Sequence, residues 1–253
     1  MWAERIGLSG LLLLAVAPFV GSFLGVVIRR LPRGGAIAWD RSRCPHCRTP
    51  LTARDLVPFL SWACRRGACR HCGHRIGWFY PAIEGASLLL AAASLAATAH
   101  GLAAWVAWGL GCWLLTLAWI DAECWILPDA LTLPLIPLGL IASGALSANG
   151  IFDRLAGAIV GYLALRLLGL VYRRLRGRDG LGGGDAKMLA AAGAWVGASG
   201  LPSVVLAAAV AALIAAAALR LRGAALHAQS ALPFGPFLAL ATWVVWLLGP
   251  IAR

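Results

Sequence analysis

The stretch LSGLLLLAVAPFVGSFLGVVI, Leu8 to Ile28, runs for 21 residues without a charged side chain and stops at Arg29 and Arg30. A helix needs about 20 apolar residues to cross about 30 Å of hydrocarbon, so this stretch reads as a membrane span. It is long and lacks a small-residue cleavage site, which argues against a removable signal peptide. Seven further apolar runs follow: Ile83 to Ala99, Leu102 to Ile120, Ile126 to Leu146, Leu155 to Val171, Ala186 to Ser199, Ser203 to Leu219 and Phe234 to Leu248. The whole composition agrees, with 61% hydrophobic and 13% charged residues in 253 and a mean hydropathy of +0.81. That balance excludes an ordinary soluble domain. The expected fold is an all-α polytopic membrane protein of about eight transmembrane helices.

Of the 22 Lys and Arg residues, 18 fall in three segments: Arg29 to Arg75, Arg173 to Lys187, and Arg220 with Arg222. Eight spans would put all three on one side, and the positive-inside rule makes that side the cytoplasm. Both termini then face outward, and the loops near Gly101, Asn149 and Gly200 become short outer turns. A net charge of +12 also raises the question of nucleic acid. Topology signalling and attraction to anionic lipid account for it instead, and no nucleic-acid partner is expected.

The one sizeable polar segment reads CPHC, then 21 intervening residues, then CRHC. Cys44, Cys47, Cys69 and Cys72 in this double CxxC suit one tetrahedral Zn²⁺ bound by four thiolates. Two disulfides are the alternative, and a reducing cytosol disfavours them. Nearby His46, His71, His74 and Cys64 are possible substitutes for one thiol but lack the matching spacing. So small and Arg-rich a segment has little apolar core, and metal binding would supply much of its folding free energy. The expected organisation is residues 1–28 as the first span, 29–80 as a cytoplasmic tetracysteine zinc domain, and 81–253 as the remaining membrane core.

Ionisable groups at membrane depth are rare and each is a functional candidate. Those present are Glu84, Asp121, Glu123, Asp129, Arg166 and Asp185. The expected topology puts Asp121 at the cytoplasmic end of span three and Asp185 at the cytoplasmic start of span six, on one level. Asp185 closes the run GLGGGD from Gly180, a glycine-rich loop that can approach a neighbouring chain closely. The span that follows is about 21 Å long at about 1.5 Å per residue, shorter than the bilayer core, so Asp185 is expected in a recess. Two carboxyls at one depth can share a proton, one activating water and the other protonating a leaving group. Either Asp alone could instead be an ordinary helix-end residue. Asp129, after Pro128, fits that reading well. Glu123 reads as a solvated loop acid, and Glu84 as an anchor for the basic segment through Arg75 or another Arg. Gly182, Gly184, Lys187, Asp129 and Glu84 are expected to support the substrate or the loop.

Taken together, the blocks GSFLGVVIRRLP from Gly21, the double CxxC, RIGWFYPAIE ending at Glu84, DAECWILPD from Asp121, GLGGGDAKMLAAAGAWVG from Gly180 and LPFGPFLAL from Leu232 resemble the type IV prepilin peptidases, also called leader peptidase/N-methyltransferases. The resemblance implies an eight-helix protein of the bacterial inner membrane with a cytoplasmic zinc loop. It implies catalysis by Asp121 and Asp185, which closes a GxGD motif. It also implies cleavage of prepilins or type II secretion pseudopilins after a Gly that precedes a hydrophobic helix. N-methylation of the new terminus with S-adenosylmethionine is a further implication, favoured by the presence of the zinc loop. The chain departs from the family pattern at Gly25, where Asn is usual, and at Leu56 and Val57, where Asn and Ile are usual.

Two other classes account for parts of the sequence. A proton-coupled transporter would use intramembrane carboxylates and the prolines of span four, but no matched half of the chain is present. A membrane-tethered nucleic-acid binder would use the Arg-rich loop, but it leaves the Gly-rich Asp185 segment unexplained. Trp62, Trp78, Phe79 and Tyr80 fit a membrane interface better than a stacking series.

Overall fold

The computed structural model describes residues 7–37, 41–98, 101–146, 150–177, 182–223 and 232–250. The turn expected near Asn149, the head of the glycine run at Gly180 and Leu181, and the chain ends lie outside them. Among the described residues the structure is all-helical apart from two isolated antiparallel bridges. The helices are α1 (Gly7–Arg30), α2 (Leu60–Cys64), α3 (Phe79–Ala97), α4 (Leu102–Cys124), α5 (Asp129–Leu146), α6 (Ile151–Arg176), α7 (Gly183–Val196), α8 (Leu201–Leu221) and α9 (Gly235–Leu248). Each expected span falls on one of the eight long helices. Five have the length and apolarity to cross a bilayer: α1 with its 3-10 extension to Arg33, α3, α4, α6 and α8. The others are shorter, and α5 starts at Asp129 rather than Ile126. Pro128 has no N–H to continue a helix from the residues before it.

The chain divides into two compact units, Met1–Cys112 and Trp113–Arg253. In the first, α1 and α3 pack backbone to backbone, for a Cβ at Gly21 would stand 2.7 Å from the Cα of Glu84. One turn along, a Cβ at Gly25 would lie 2.8 Å from the Tyr80 ring, so Tyr80 occupies the space that a side chain at 25 would need. Leu13, Ala17, Ala91, Leu95, Ala104, Trp108 and Cys112 form the core between α1, α3 and α4. Polar groups inside it are satisfied locally, as an apolar surrounding requires. The Ser87 hydroxyl donates to Ala17 O at 2.7 Å, and the Trp108 indole donates to Ser87 O at 3.2 Å.

In the second unit α7 is the buried centre, with Ala186 and every residue from Met188 to Trp195 inside. Glycines let α6 approach it: a Cβ at Gly161 would sit 2.5 Å from Leu189 O, and one at Gly157 2.6 Å from Gly193 O. On the α5 side, Gly139 abuts the Trp195 indole, whose N–H donates to Leu135 O at 2.9 Å. By contrast, α6 and α8 present long apolar faces outward, as helices against lipid do.

The glycine run behaves differently from the expected loop. Helix α7 begins within it, at Gly183, and ends at Val196, three residues earlier than the apolar run suggests. Gly182 is extended and caps the helix, and Gly197 at φ +79° stops it. Asp185 therefore lies in the first helical turn, where the exposed N–H groups and the helix dipole favour an acid.

Candidate active site and metal centre

Asp121 sits in the last turns of α4 with only 7% of its surface exposed. The helix closes just beyond it. Trp125 adopts φ +59° and donates its N–H to Asp121 O at 2.9 Å, a left-handed terminus without the usual glycine. Leu127, in the short link to α5, packs on Gly184, where a Cβ would lie 2.9 Å from the leucine Cβ. This link and the head of α7 are thereby held together with no room for a side chain at 184.

Asp185 donates its N–H to Gly182 O at 3.2 Å, and a Cβ at Gly182 would stand 3.3 Å from its own Oδ2. Asp185 lies within electrostatic reach of Asp121. The two acids expected to act together thus lie in one unit, within range of each other's charge. Next to them, Lys187 bonds both oxygens of Asp129 at 2.6 and 2.7 Å, joining α7 to the first turn of α5. Asp129 is 57% exposed, so this pair positions the helix ends more than it stabilises the fold.

A residue that sequence reading did not single out completes the site. Gly235, the first residue of α9, donates its N–H to Asp121 Oδ2 at 3.0 Å. A Cβ there would lie 2.6 Å from that oxygen. The signal was present in the PFGP block, a glycine and a proline at a helix start, but nothing in a linear pattern identifies a backbone amide as a partner.

Two acids are placed otherwise than expected. Glu84 is buried and accepts the Phe59 N–H at 2.9 Å, a backbone amide of the polar segment rather than an Arg75 guanidinium. Glu123 lies in the last turn of α4 and not in a loop, where it accepts the Trp119 indole N–H at 2.8 Å.

In the polar segment, the four sulfurs of Cys44, Cys47, Cys69 and Cys72 lie within 4.8 Å of one another. The pairs Cys44–Cys72 and Cys47–Cys69 are 3.9 and 4.0 Å apart. The edge of a tetrahedron with metal–sulfur bonds of about 2.3 Å is about 3.8 Å, so the group fits a zinc ion. Each CxxC forms the same turn. Cys44 N–H bonds Thr49 O and Arg48 N–H bonds Cys44 O, while Cys69 N–H bonds His74 O and Gly73 N–H bonds Cys69 O. Bridges Arg43–Pro50 and Ala68–Arg75 close the two turns. Hydrogen bonds from Thr49 lower the Cys47 thiol to about 6. At Cys72 the His74 amide favours the thiolate, but desolvation and the three other cysteines outweigh it and push the thiol up to about 11. Four thiolates this close need a cation to coexist.

A polytopic helical protein with a four-cysteine loop, a buried aspartate and a second, partly buried one within reach of its charge is the class that these features define. The family comparisons agree. The Bacterial Peptidase A24 N-terminal domain matches residues 15–98, and the Type IV leader peptidase family matches residues 108–217. A Prepilin leader peptidase/N-methyltransferase of Burkholderia pseudomallei (strain 1026b) is 42% identical over 245 residues, covering 87% of this chain and 79% of the relative. Proteins of the same name from Aeromonas hydrophila and Dickeya chrysanthemi are 37% identical over 255 residues and 39% over 263. These cover 91% and 94% of this chain and 87% and 91% of the relatives. The chain belongs to the type IV leader peptidase family. No solved structure matches it.

Proposed function

We propose that this chain is an inner-membrane aspartic endopeptidase that removes the leader of type IV prepilins or type II secretion pseudopilins at the cytoplasmic face, and that it methylates the amino terminus so exposed. The observation that carries the reading is the buried Asp121 carboxyl, held by the first N–H of α9, with Asp185 at the head of α7 within reach of its charge. Family membership leaves the transporter reading without support.

Two such carboxyls share one proton. The ionised member takes a proton from water as the water attacks the scissile carbonyl, and the protonated member gives its own to the leaving amine. The Gly235 N–H fixes one oxygen of Asp121 and leaves the other for the water. The Lys187–Asp129 pair and the close contact of Gly184 with Leu127 hold the two helix ends around the reacting bond.

Cys44, Cys47, Cys69 and Cys72 would hold a zinc ion through all four thiolates, which would leave it the role of holding the loop's fold. For the second activity, S-adenosylmethionine would supply an electrophilic methyl group to the new terminal amine, which would lose a proton as the donor's sulfonium became a thioether.

Incubating the purified protein with a prepilin, with and without S-adenosylmethionine, tests both steps. Leader loss is expected in both samples, and one added methyl at the new terminus only with the donor. A prepilin that stays whole contradicts the peptidase reading. A product that is cut but never methylated contradicts the second.

A further inference from the structure

In the second unit a short link joins the helix that carries Asp121 to α5. Helix α4 ends at Cys124 and α5 starts at Asp129, and the four residues between them are not helical. Both ends of the link are tied to the site. Trp125 donates its N–H to Asp121 O at 2.9 Å, one turn beyond the buried acid. Leu127 packs on Gly184, the residue before Asp185, where a Cβ would stand 2.9 Å from the leucine Cβ. Trp125 and Ile126 therefore span the distance from one acid's helix to the other's.

Nothing in the packing of the fold explains this link. Trp125 holds φ +59°, the left-handed region that glycine occupies freely and that strains other residues. Trp125 is 55% exposed and Ile126 45% exposed, so the core takes up neither side chain. Among the described residues none bonds the N–H or C=O of Ile126 or Leu127. Leu127 precedes a proline, which keeps its backbone extended. Unpaired, extended backbone flanked by exposed apolar side chains is what an extended peptide binds: main-chain bonds hold it and side-chain contacts select it. The other role for an exposed tryptophan near a membrane surface is to anchor the chain among the headgroups. An anchor is served by any backbone conformation, whereas strained residues gather where a side chain must be aimed at a ligand.

Resting on the peptidase reading above, we propose that Trp125 and Ile126 form the surface that receives the apolar side chain directly after the cut, the first residue of the substrate's hydrophobic helix. The peptide lies along the link with its scissile bond between Asp121 and Asp185, and Trp125 sets the preference for a large side chain at that position. An aromatic ring there has the most to gain, since it stacks on the indole as well as leaving water.

The test uses the full-length protein in detergent and two forms of one prepilin that differ only in the residue after the cut, phenylalanine or alanine. Leader removal is measured as kcat/KM for wild type, Trp125→Gly and Ile126→Ser, with melting temperature as the check on folding. Glycine suits the left-handed position, so Trp125→Gly is expected to melt no lower than wild type. Wild type should cut the phenylalanine form at least about tenfold more efficiently than the alanine form. Trp125→Gly should bring the two within about twofold by slowing the phenylalanine form alone. Ile126→Ser should narrow the gap several-fold, and it decides in place of Trp125→Gly if that variant does not fold. A preference that is absent from wild type, or intact in the folded variants, overturns the assignment and leaves the peptidase reading standing. Equal slowing of both forms also overturns it, in favour of a membrane anchor. A wild type that cuts neither form overturns both.

Discussion

Gly235 acts through the atom it lacks. Its N–H reaches Asp121 Oδ2 at 3.0 Å, and a Cβ at 235 would stand only 2.6 Å from that oxygen. Gly235→Ala is expected to displace the carboxyl by a fraction of an ångström and slow prepilin cutting about a hundredfold, with the protein still inserted, as single-turnover assays would show. Unchanged cutting would separate this contact from catalysis. A second residue-scale contrast lies in the two CxxC turns. Gly73 and Arg48 occupy the same position after the second cysteine, with φ of +68° and +57°. The left-handed region suits glycine and strains arginine. Gly73→Ala should destabilise the loop by about 1 kcal/mol and Arg48→Gly should not, measured as the chelator concentration that unfolds it. The thiols make a further prediction. Cys72 is pushed up to about 11, so below that pH it holds a proton that zinc must displace. Apparent zinc affinity should therefore rise with pH between 6 and 8, by about one log unit per pH unit for each proton released. A flat profile in chelator competition would mean that this thiol is not a ligand.

Among the elements, α7 decides the arrangement. It is short, buried on every side, and flanked by glycines on its neighbours. The GxxxG of Gly157 and Gly161 in α6 lets the two backbones touch, with Gly193 of α7 against Gly157. Gly161→Leu forces a side chain into Leu189 O and should cost about 3 kcal/mol or more, read as a lowered melting temperature in detergent and lost cutting. A stable, active variant would show that α6 can move aside. That GxxxG was present in the sequence as a packing signal, but hydropathy alone reads α6 as one more span. The helix starts were less readable. Hydropathy puts the start of α7 at Ala186, because glycine carries no apolar signal, whereas backbone bonding begins it at Gly183. The distinction matters, since it moves Asp185 from a loop into a first helical turn.

On the scale of the whole molecule, the all-helical fold and the double CxxC were readable, and Asp121 and Asp185 stood out as candidates, because each depends on local pattern: apolar length, cysteine spacing, an acid where acids are rare. Contacts between distant segments were not. Asp121 and Gly235 are 114 residues apart, and Glu84 meets Phe59 through a backbone amide that has no side-chain signature. The joint action of Asp121 and Asp185 is the claim on which the proposed activity stands, and a double-mutant cycle measures it. Prepilin cutting by Asp121→Asn, Asp185→Asn and the double variant should fall to the same floor in all three, because neither acid works without the other. A single variant that keeps near-normal cutting, or a double variant whose loss is the product of two partial losses, would contradict a shared proton.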